Sequence, residues 1–107
     1  MRVSEIIESE LRGSVEFYLN NTNIERGSPG FGLTVDSTKH PQLASIASTG
    51  FALTAWVIGH ARGYLDAQQA VEITRGTLRT LNERVSHHRG FFAHYLDIRT
   101  GLRYRSC

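Results

Sequence analysis

Residues 41–59 read PQLASIASTGFALTAWVIG and contain no acidic or basic side chain. Pro41 suits the first position of a helix, because its missing N–H would have no helical partner there in any case. A helix without a charged face has to be buried on most sides, and Trp56 is then expected in the core. We therefore predict a buried helix that begins at Pro41 and is capped near Gly63.

Two glycines interrupt this apolar stretch, Gly50 and Gly59. Glycine inside a helix costs about 1 kcal/mol relative to alanine, so both positions suggest that another part of the chain packs closely against the helix backbone. We therefore expect a larger side chain at Gly50 to destabilise the fold.

An amphipathic segment lies on each side of this apolar stretch. From Val3 to Tyr18 the apolar residues recur at spacings of three and four, which is typical of one helix face. The same spacing runs from Ala67 to Glu83, where Asp66 followed by Gln69 is a capping-box pattern. Both segments are predicted helices.

The last part of the chain changes character. Between Gly90 and Arg105, aromatic and branched residues surround Thr100 and Gly101, which favours two short extended segments joined by a turn. The predicted fold class is therefore all-α, with three main helices plus a short C-terminal β-hairpin-like segment, in one domain over residues 1–107. Two amphipathic neighbours cannot cover the central helix fully, so it should either self-associate or belong to a larger helical domain.

The composition argues against several classes of function. The chain has 107 residues, a formal net charge of +2 and one cysteine, Cys107, so no internal disulfide can form. Its first residues lack the basic start and apolar stretch typical of a signal peptide, and none of its apolar runs is long enough to span a membrane, so neither segment is expected within this chain. The arginines lie on different predicted elements without a nucleic-acid motif, so no nucleic acid is expected as a partner. No His or Cys spacing matches a zinc signature, and no cofactor is predicted.

Two carboxylates outside the predicted helices are candidates for catalysis, Asp36 and Asp97. Hydrolysis of a glycosidic bond needs one carboxyl group as acid and a second as base or nucleophile, and such groups lie on loops over a cavity. Each also has a structural interpretation, Asp97 closing a turn that reaches Gly101 and Asp36 acting as a loop cap before Ser37. The residues alone favour the structural interpretation.

Aromatic residues and a histidine surround Asp97. The rings of Phe91, Phe92 and Tyr95 are candidates to stack on sugar rings, whose C–H faces are apolar. His94 is either a hydrogen-bonding residue of the same site or a residue that fixes the Asp97 turn. Core packing is the commoner role of such aromatic side chains, and the local sequence leaves both alternatives open.

Four stretches of the sequence, GLTVD (32–36), ASIASTGF (44–51), IGHARGY (58–64) and GFFAHYLDIRTGLR (90–103), together extend over most of the chain. In this order they resemble motifs of the bacterial glucoamylase-like domain family. The counterparts in that family are Gly-Leu-x-x-Asp, Ala-Ser-Ile-Ala-x-Thr-Gly-Phe, Ile-Gly-x-x-Arg-Gly-aromatic and Gly-Phe-Phe-x-His-Phe-Leu-Asp-x-x-Thr-Gly-x-Arg. The last motif is long enough to be specific.

This resemblance implies a fragment of an (α/α)6 toroid with a central substrate cavity, in a family of enzymes and enzyme modules that act on β-glucans such as β-1,2-glucan. It implies Asp36 and Asp97 as the carboxylates, with His94 and the neighbouring aromatic residues as sugar contacts, and no metal or organic cofactor. The family continues into an acidic Ser-Glu-x-Ser-x-x-Asp-Thr stretch about where Cys107 stands. We therefore expect the N-terminal part of a glycoside hydrolase-like domain, inactive alone.

The alternative is a helical module without catalytic chemistry. In that hypothesis the chain self-associates through the exposed part of the central helix, whose apolar side chains are Ile46, Leu53, Val57 and Ile58.

Overall fold

Three helices and two small sheets build the protein in the computed structural model, which describes residues 2–88 and 91–104, without the side chains of His88 and Phe91. Three residues named in the sequence predictions lie outside the described residues: Gly90 and Arg105, which bound the predicted extended segments, and Cys107. In chain order the elements are α1 (Val3–Asn20), β1 (Thr34–Val35), β2 (Leu43–Ser45), α2 (Ile46–Ala61), α3 (Ala67–Glu83), β3 (His87–His88), β4 (Phe91–Phe92) and β5 (Tyr95–Asp97).

The larger sheet is antiparallel, with β2 between β1 and β5. Its central register places Ala44 opposite Val35 on one side and opposite Leu96 on the other. Single bridges add Thr22 beside β1 and Arg103 beside β5. β3 and β4 pair only with each other, as a two-stranded ladder.

The all-α prediction is wrong, because β2 occupies the place of the first turn of the predicted central helix. Leu43–Ser45 pair with β1 on one side and β5 on the other, and all three residues are buried. The helix α2 begins only at Ile46, where Oγ of Ser45 accepts the N–H of Ser48 at 3.1 Å. The fold therefore mixes three helices with a three-stranded antiparallel sheet and is not an all-helical piece of an (α/α)6 toroid.

The two flanking helices lie where their periodicity predicts them. α3 spans Ala67–Glu83, and Oδ1 of Asp66 accepts the N–H of Gln69 at 2.7 Å at its start. α1 extends beyond the predicted end to Asn20. Asn21 ends it, donating from its backbone to the carbonyl of Tyr18 and from its side chain to the carbonyl of Phe17.

The main core lies among the three helices and centres on Trp56, which is fully buried as predicted. The indole N–H of Trp56 has no acceptor in the described part of the chain. The other buried members of this cluster are Val15, Ala52, Ala55, Leu65, Ala70 and Ile73. A second cluster lies on the inner face of the sheet and consists of Leu33, Ala44, Val85 and Leu96.

α2 packs against α1, α3 and the larger sheet but leaves one face exposed, and on that face the prediction of burial is wrong. Phe51 and Val57 are 65% and 66% exposed. The two glycines differ accordingly: a Cβ at Gly59 would lie 2.9 Å from Cδ1 of Leu65, whereas a Cβ at Gly50 would meet no atom within 4 Å. Close packing is confirmed at Gly59 and absent at Gly50.

None of the described helices is long and apolar enough to cross a membrane.

Candidate functional site

Asp36 and Asp97 lie in one row across the larger sheet. Asp97 is directly opposite Leu43. On the other side β1 ends at Val35, and the N–H of the next residue, Asp36, donates to the carbonyl of Leu43 at 2.9 Å. Opposed residues of antiparallel strands have Cα atoms roughly 4.5–5.5 Å apart. Leu43 thus lies between the backbones of the two predicted carboxylate residues, whose Cα atoms are about 10 Å apart.

Asp97 also has the structural role that its sequence context favours. Its Oδ1 accepts the N–H groups of Arg99 at 2.9 Å and Thr100 at 3.2 Å. The carbonyl of Asp97 accepts the N–H of Gly101 at 2.9 Å, and Gly101 has a φ of 76°, which favours glycine. The side chain therefore closes a tight turn at the end of β5 while remaining half-buried.

Asp36 has more freedom than Asp97. It follows the last residue of β1 and is exposed. Among the described residues its carboxylate makes neither an ion pair nor a hydrogen bond, and the loop cap expected of Asp36 falls to Ser37, whose Oγ accepts the N–H of Lys39 at 3.3 Å. One of the two carboxylates is thus fixed by its own turn and the other extends into solvent.

The residues around Asp97 are divided between the sheet and the adjoining ladder. The ring of His94 contacts that of Tyr95 edge to face, with centroids 4.3 Å apart. Tyr95 is half-buried, and its place in β5 two residues before Asp97 puts both on the same face. His94 and Phe92 are exposed. The side chain of Phe91 lies outside the described part of the structure, which leaves its predicted sugar contact a prediction.

Buried hydroxyl groups form the rest of this face. Thr34 and Ser45 lie opposite each other in the row that also contains Tyr95, and both are fully buried. Oγ1 of Thr34 shares a hydrogen bond with Oγ1 of Thr22 at 2.8 Å, and Oγ1 of Thr49 donates to the carbonyl of Ser45 at 2.8 Å. This row of the sheet is therefore covered. In the neighbouring row Leu43 is also buried, with the exposed Asp36 and the half-buried Asp97 on either side of it.

A separate cavity of about 520 Å³ lies between the loop after α1 and one side of α3. Neither Asp36 nor Asp97 lines it. Its lining combines an aromatic ring, several hydroxyl groups and four arginines, and consists of Arg26, Gly27, Ser28, Phe31, Gln68, Val71, Glu72, Arg75, Gly76, Arg79, Thr80 and Arg84. We call it the arginine cavity.

The sequence alone did not identify the arginine cavity, because its arginines lie on two separate segments that only the fold brings together, the loop after α1 and α3 with its C-cap. Arg26 precedes the glycine-rich loop, Arg75 and Arg79 belong to α3, and Arg84 is the C-cap residue of α3. The one local signal is the spacing of Arg75 and Arg79, four residues apart and therefore on one face of α3.

A third group of polar residues joins α1 to the segment after α2. The carboxylate of Glu8 accepts hydrogen bonds from the hydroxyl of Tyr64 and from Nη1 of Arg62. The hydrogen bond to Glu8 is the main reason that the pKa of Tyr64 is raised, with partial desolvation and the charge of Glu8 adding to it. Because Arg12 lies 4.6 Å above the ring of Tyr64, this tyrosine fastens α1 rather than offering a free ring to a sugar.

No group of three or more metal-ligating side chains occurs within residues 2–88 and 91–104. Comparison with known proteins gives no relatives: no family model matches the chain, and neither a curated protein nor a solved structure is significantly similar to it.

Proposed function

We propose that the chain takes part in glucan processing, as a glycoside hydrolase-like unit that binds the sugar between Asp36 and Asp97. The observation that supports this proposal most is the position of Leu43, which is opposite Asp97 in the sheet and accepts the backbone N–H of Asp36 on its other side. Two segments that are distant in sequence thereby supply one acid on each side of Leu43. The similarity of GLTVD and GFFAHYLDIRTGLR to motifs of glucan-processing enzymes points to the same two residues.

Paired carboxyl groups suit glycosidic bond cleavage because one protonates the leaving oxygen while the other activates water or attacks the sugar carbon. Carboxyl groups about 5–5.5 Å apart lead to retention, and those about 6.5–9.5 Å apart leave room for the water that gives inversion. The more exposed Asp36 is the better candidate for activating water.

The sugar contacts in this proposal come from the same end of β5. Tyr95 lies on the face of Asp97 and offers part of a ring, while His94 stands against its edge. An aromatic ring next to hydrogen-bonding groups matches the apolar faces and polar edges of a glucose unit. Phe92 extends this aromatic border on the neighbouring ladder.

We propose further that the unit binds glucan without turning it over alone. The carboxylate row lies on an open surface, since Asp36 is exposed and Asp97 only half-buried. Charge that develops at the reacting bond is stabilised best in a site from which water is excluded, and such a site also needs rigid support around each carboxyl group. Binding is therefore the activity to expect of these residues by themselves.

A hydrolysis assay with β-1,2-glucan and starch tests this proposal together with a binding titration. The chain should bind the β-1,2-linked oligosaccharide and release no measurable reducing ends from either glucan. Asp97→Asn should weaken binding, and Asp66→Asn, which keeps the α3 cap, should not. Failure to bind either saccharide would refute the proposal. Hydrolysis that Asp97→Asn abolishes would refute only the claim that the unit is inactive alone.

A second candidate function is self-association, which an apolar groove on the surface supports. A groove of about 410 Å³ between α2 and α3 is lined mainly by apolar side chains, including Trp56 and Leu78. Its rim is exposed at Val57 (66%), Val71 (51%) and Leu78 (53%). This surface shares Val57 with the one expected from the sequence, whereas Ile46 and Leu53 of that expectation pack against the two cores.

The occupant proposed for this groove is α1 of a second copy. The first half of α1 exposes Val3, Ile6 and Ile7 and carries glutamates on either side of them. The groove contains His60 and Arg75, so the charges of the two surfaces are complementary. Sedimentation should detect dimers or larger species that both Ile6→Glu and Val71→Glu dissociate, while Leu102→Glu, at another exposed apolar position, does not. A monomeric wild-type chain would exclude this candidate.

A further inference from the structure

The arginine cavity carries an excess of positive charge that the fold leaves uncompensated. Arg26, Arg75, Arg79 and Arg84 line it, and Glu72 is the only carboxylate among its lining residues. Nη2 of Arg26 pairs with Oε1 of Glu72 at 2.7 Å. Within the described part of the chain the other three arginines make no ion pair, so the lining has a formal excess of three positive charges.

The pairing of Glu72 is what leaves Arg75 free. Glu72 lies three residues before Arg75 on α3, a spacing at which opposite charges normally pair along a helix. Instead its carboxylate is held by Arg26, which comes from the loop after α1. Arg75 and Arg79 are then like charges four residues apart, an arrangement that costs an isolated helix a few tenths of a kcal/mol. The arrangement concentrates positive charge on one face of α3.

The shape and the other lining groups suit a small organic anion. A volume of about 520 Å³ lies within the range of ligand sites, roughly 300–1,000 Å³. Phe31 supplies an apolar wall that is fixed in place, because its ring packs against the backbone of Gly76 so closely that no Cβ fits there. Ser28 and Thr80 add hydroxyl groups. The cavity thus combines guanidinium groups, hydroxyls and one ring face.

We propose that the arginine cavity binds a small molecule that carries a phosphate or diphosphate group next to a flat ring. Guanidinium groups form paired, charge-assisted hydrogen bonds with phosphate oxygens. Three uncompensated arginines match the charge of a diphosphate, whereas a single carboxylate would leave most of their charge unbalanced. The ring of the ligand lies against Phe31. This site is separate from the Asp36–Asp97 row and does not depend on the glucan proposal.

Calorimetric titration of the whole chain at low ionic strength tests this site, with inorganic phosphate, pyrophosphate and phenyl phosphate as the probes. Pyrophosphate should bind more tightly than phosphate because it engages more of the arginines. Phenyl phosphate should also bind more tightly than phosphate, because its ring contacts Phe31. Replacing both Arg75 and Arg79 by Gln should weaken pyrophosphate binding by about tenfold or more, since each removes a charge-assisted hydrogen bond.

Two further variants separate binding in the cavity from a general effect of charge. Arg2→Gln combined with Arg12→Gln removes the same charge from α1, outside the cavity, and should leave the affinity for pyrophosphate unchanged. Glu72→Gln removes the only carboxylate of the lining and frees Arg26, so it should strengthen binding. Circular dichroism confirms that each variant is folded.

The proposal is overturned if pyrophosphate does not bind, or if the α1 pair of substitutions weakens binding as much as the cavity pair does. Unchanged or weaker binding in Glu72→Gln would also contradict it. Phenyl phosphate binding no tighter than inorganic phosphate would exclude the ring contact. Tighter binding of single-stranded oligonucleotides than of pyrophosphate, with the same dependence on Arg75 and Arg79, would replace the small molecule with nucleic acid as the ligand.

Discussion

The backbone N–H of Thr34 donates a hydrogen bond to Oγ1 of Thr49 at 3.0 Å, and neither residue is exposed to solvent by more than 1%. This bond connects β1 to the first turns of α2, and the same Oγ1 donates to the carbonyl of Ser45 at 2.8 Å. The ASIASTGF stretch thus has a structural role, since Ser45 caps α2 and Thr49 joins the helix to the sheet.

Thr49→Val should therefore destabilise the protein by about 1–3 kcal/mol, because it leaves the buried N–H of Thr34 without an acceptor while keeping the shape of the side chain. Thr54→Val is the matched control, since Thr54 is an exposed threonine of the same helix. Urea unfolding measures both. Equal stability of the two variants would mean that the Thr34–Thr49 bond contributes nothing.

The two glycines of α2 should respond in opposite directions. Gly50→Ala should stabilise the fold by up to about 1 kcal/mol, because the new Cβ meets no neighbour and alanine favours the helix. Gly59→Ala should destabilise it by about 1 kcal/mol, because the Cβ would press on Leu65 and lie 3.2 Å from Cγ1 of Val15. Thermal unfolding decides the sign, and a less stable Gly50→Ala variant would show that α2 is covered on that side.

Two substitutions of Asp97 should distinguish its structural role in the turn from its proposed role in saccharide binding. Asp97→Ala removes the acceptor for the N–H groups of Arg99 and Thr100 and should cost about 1–2 kcal/mol of stability. Asp97→Asn keeps an oxygen acceptor and should stay close to the wild type in stability while weakening saccharide binding. If both variants lose the same stability, the carboxylate charge matters to the turn itself.

The Tyr64–Glu8 contact predicts a loss of stability at high pH. The hydrogen bond to Glu8 holds the pKa of Tyr64 in the folded protein above its ordinary value of 10.0, so folding favours the protonated phenol. This contribution is complete below the ordinary pKa and is lost as the pH rises through the higher, folded value. The stability difference between wild type and Tyr64→Phe, measured by urea unfolding, should therefore stay constant up to about pH 10 and shrink above it. A difference that stays constant as the pH rises well above the ordinary pKa would contradict the assigned hydrogen bond.

The sequence predicted the elements whose signals are local. The spacing of apolar residues and the Asp66 cap locate α3, and the turn at Asp97 follows from residues within four positions of each other. It did not predict β2, because Leu43–Ser45 are strand residues only through pairing with Val35 and with a segment some fifty residues later. Without those partners the apolar run from Leu43 onward looks like a continuous helix.

The candidate sites also differ in how far local sequence patterns predict them. Residue type and context suggested Asp36 and Asp97, but their shared row depends on a register that no local pattern contains. The arginine cavity depends even more on tertiary structure, since Arg26 reaches Glu72 from a different segment. In the sequence the arginines lie on different predicted elements, and no local pattern predicts that they form a site.

The most direct test of the glucan proposal is a two-dimensional NMR titration of the chain with a β-1,2-linked gluco-oligosaccharide. The amide signals of Asp36, Leu43 and Tyr95 should shift together, and those of Arg75 and Arg79 should stay in place. A chain with both Asp36→Asn and Asp97→Asn should bind the oligosaccharide at least about tenfold more weakly than the wild type. If the signals of the Asp36–Asp97 row stay in place, or move equally in the double variant, the two carboxylates do not form a saccharide site.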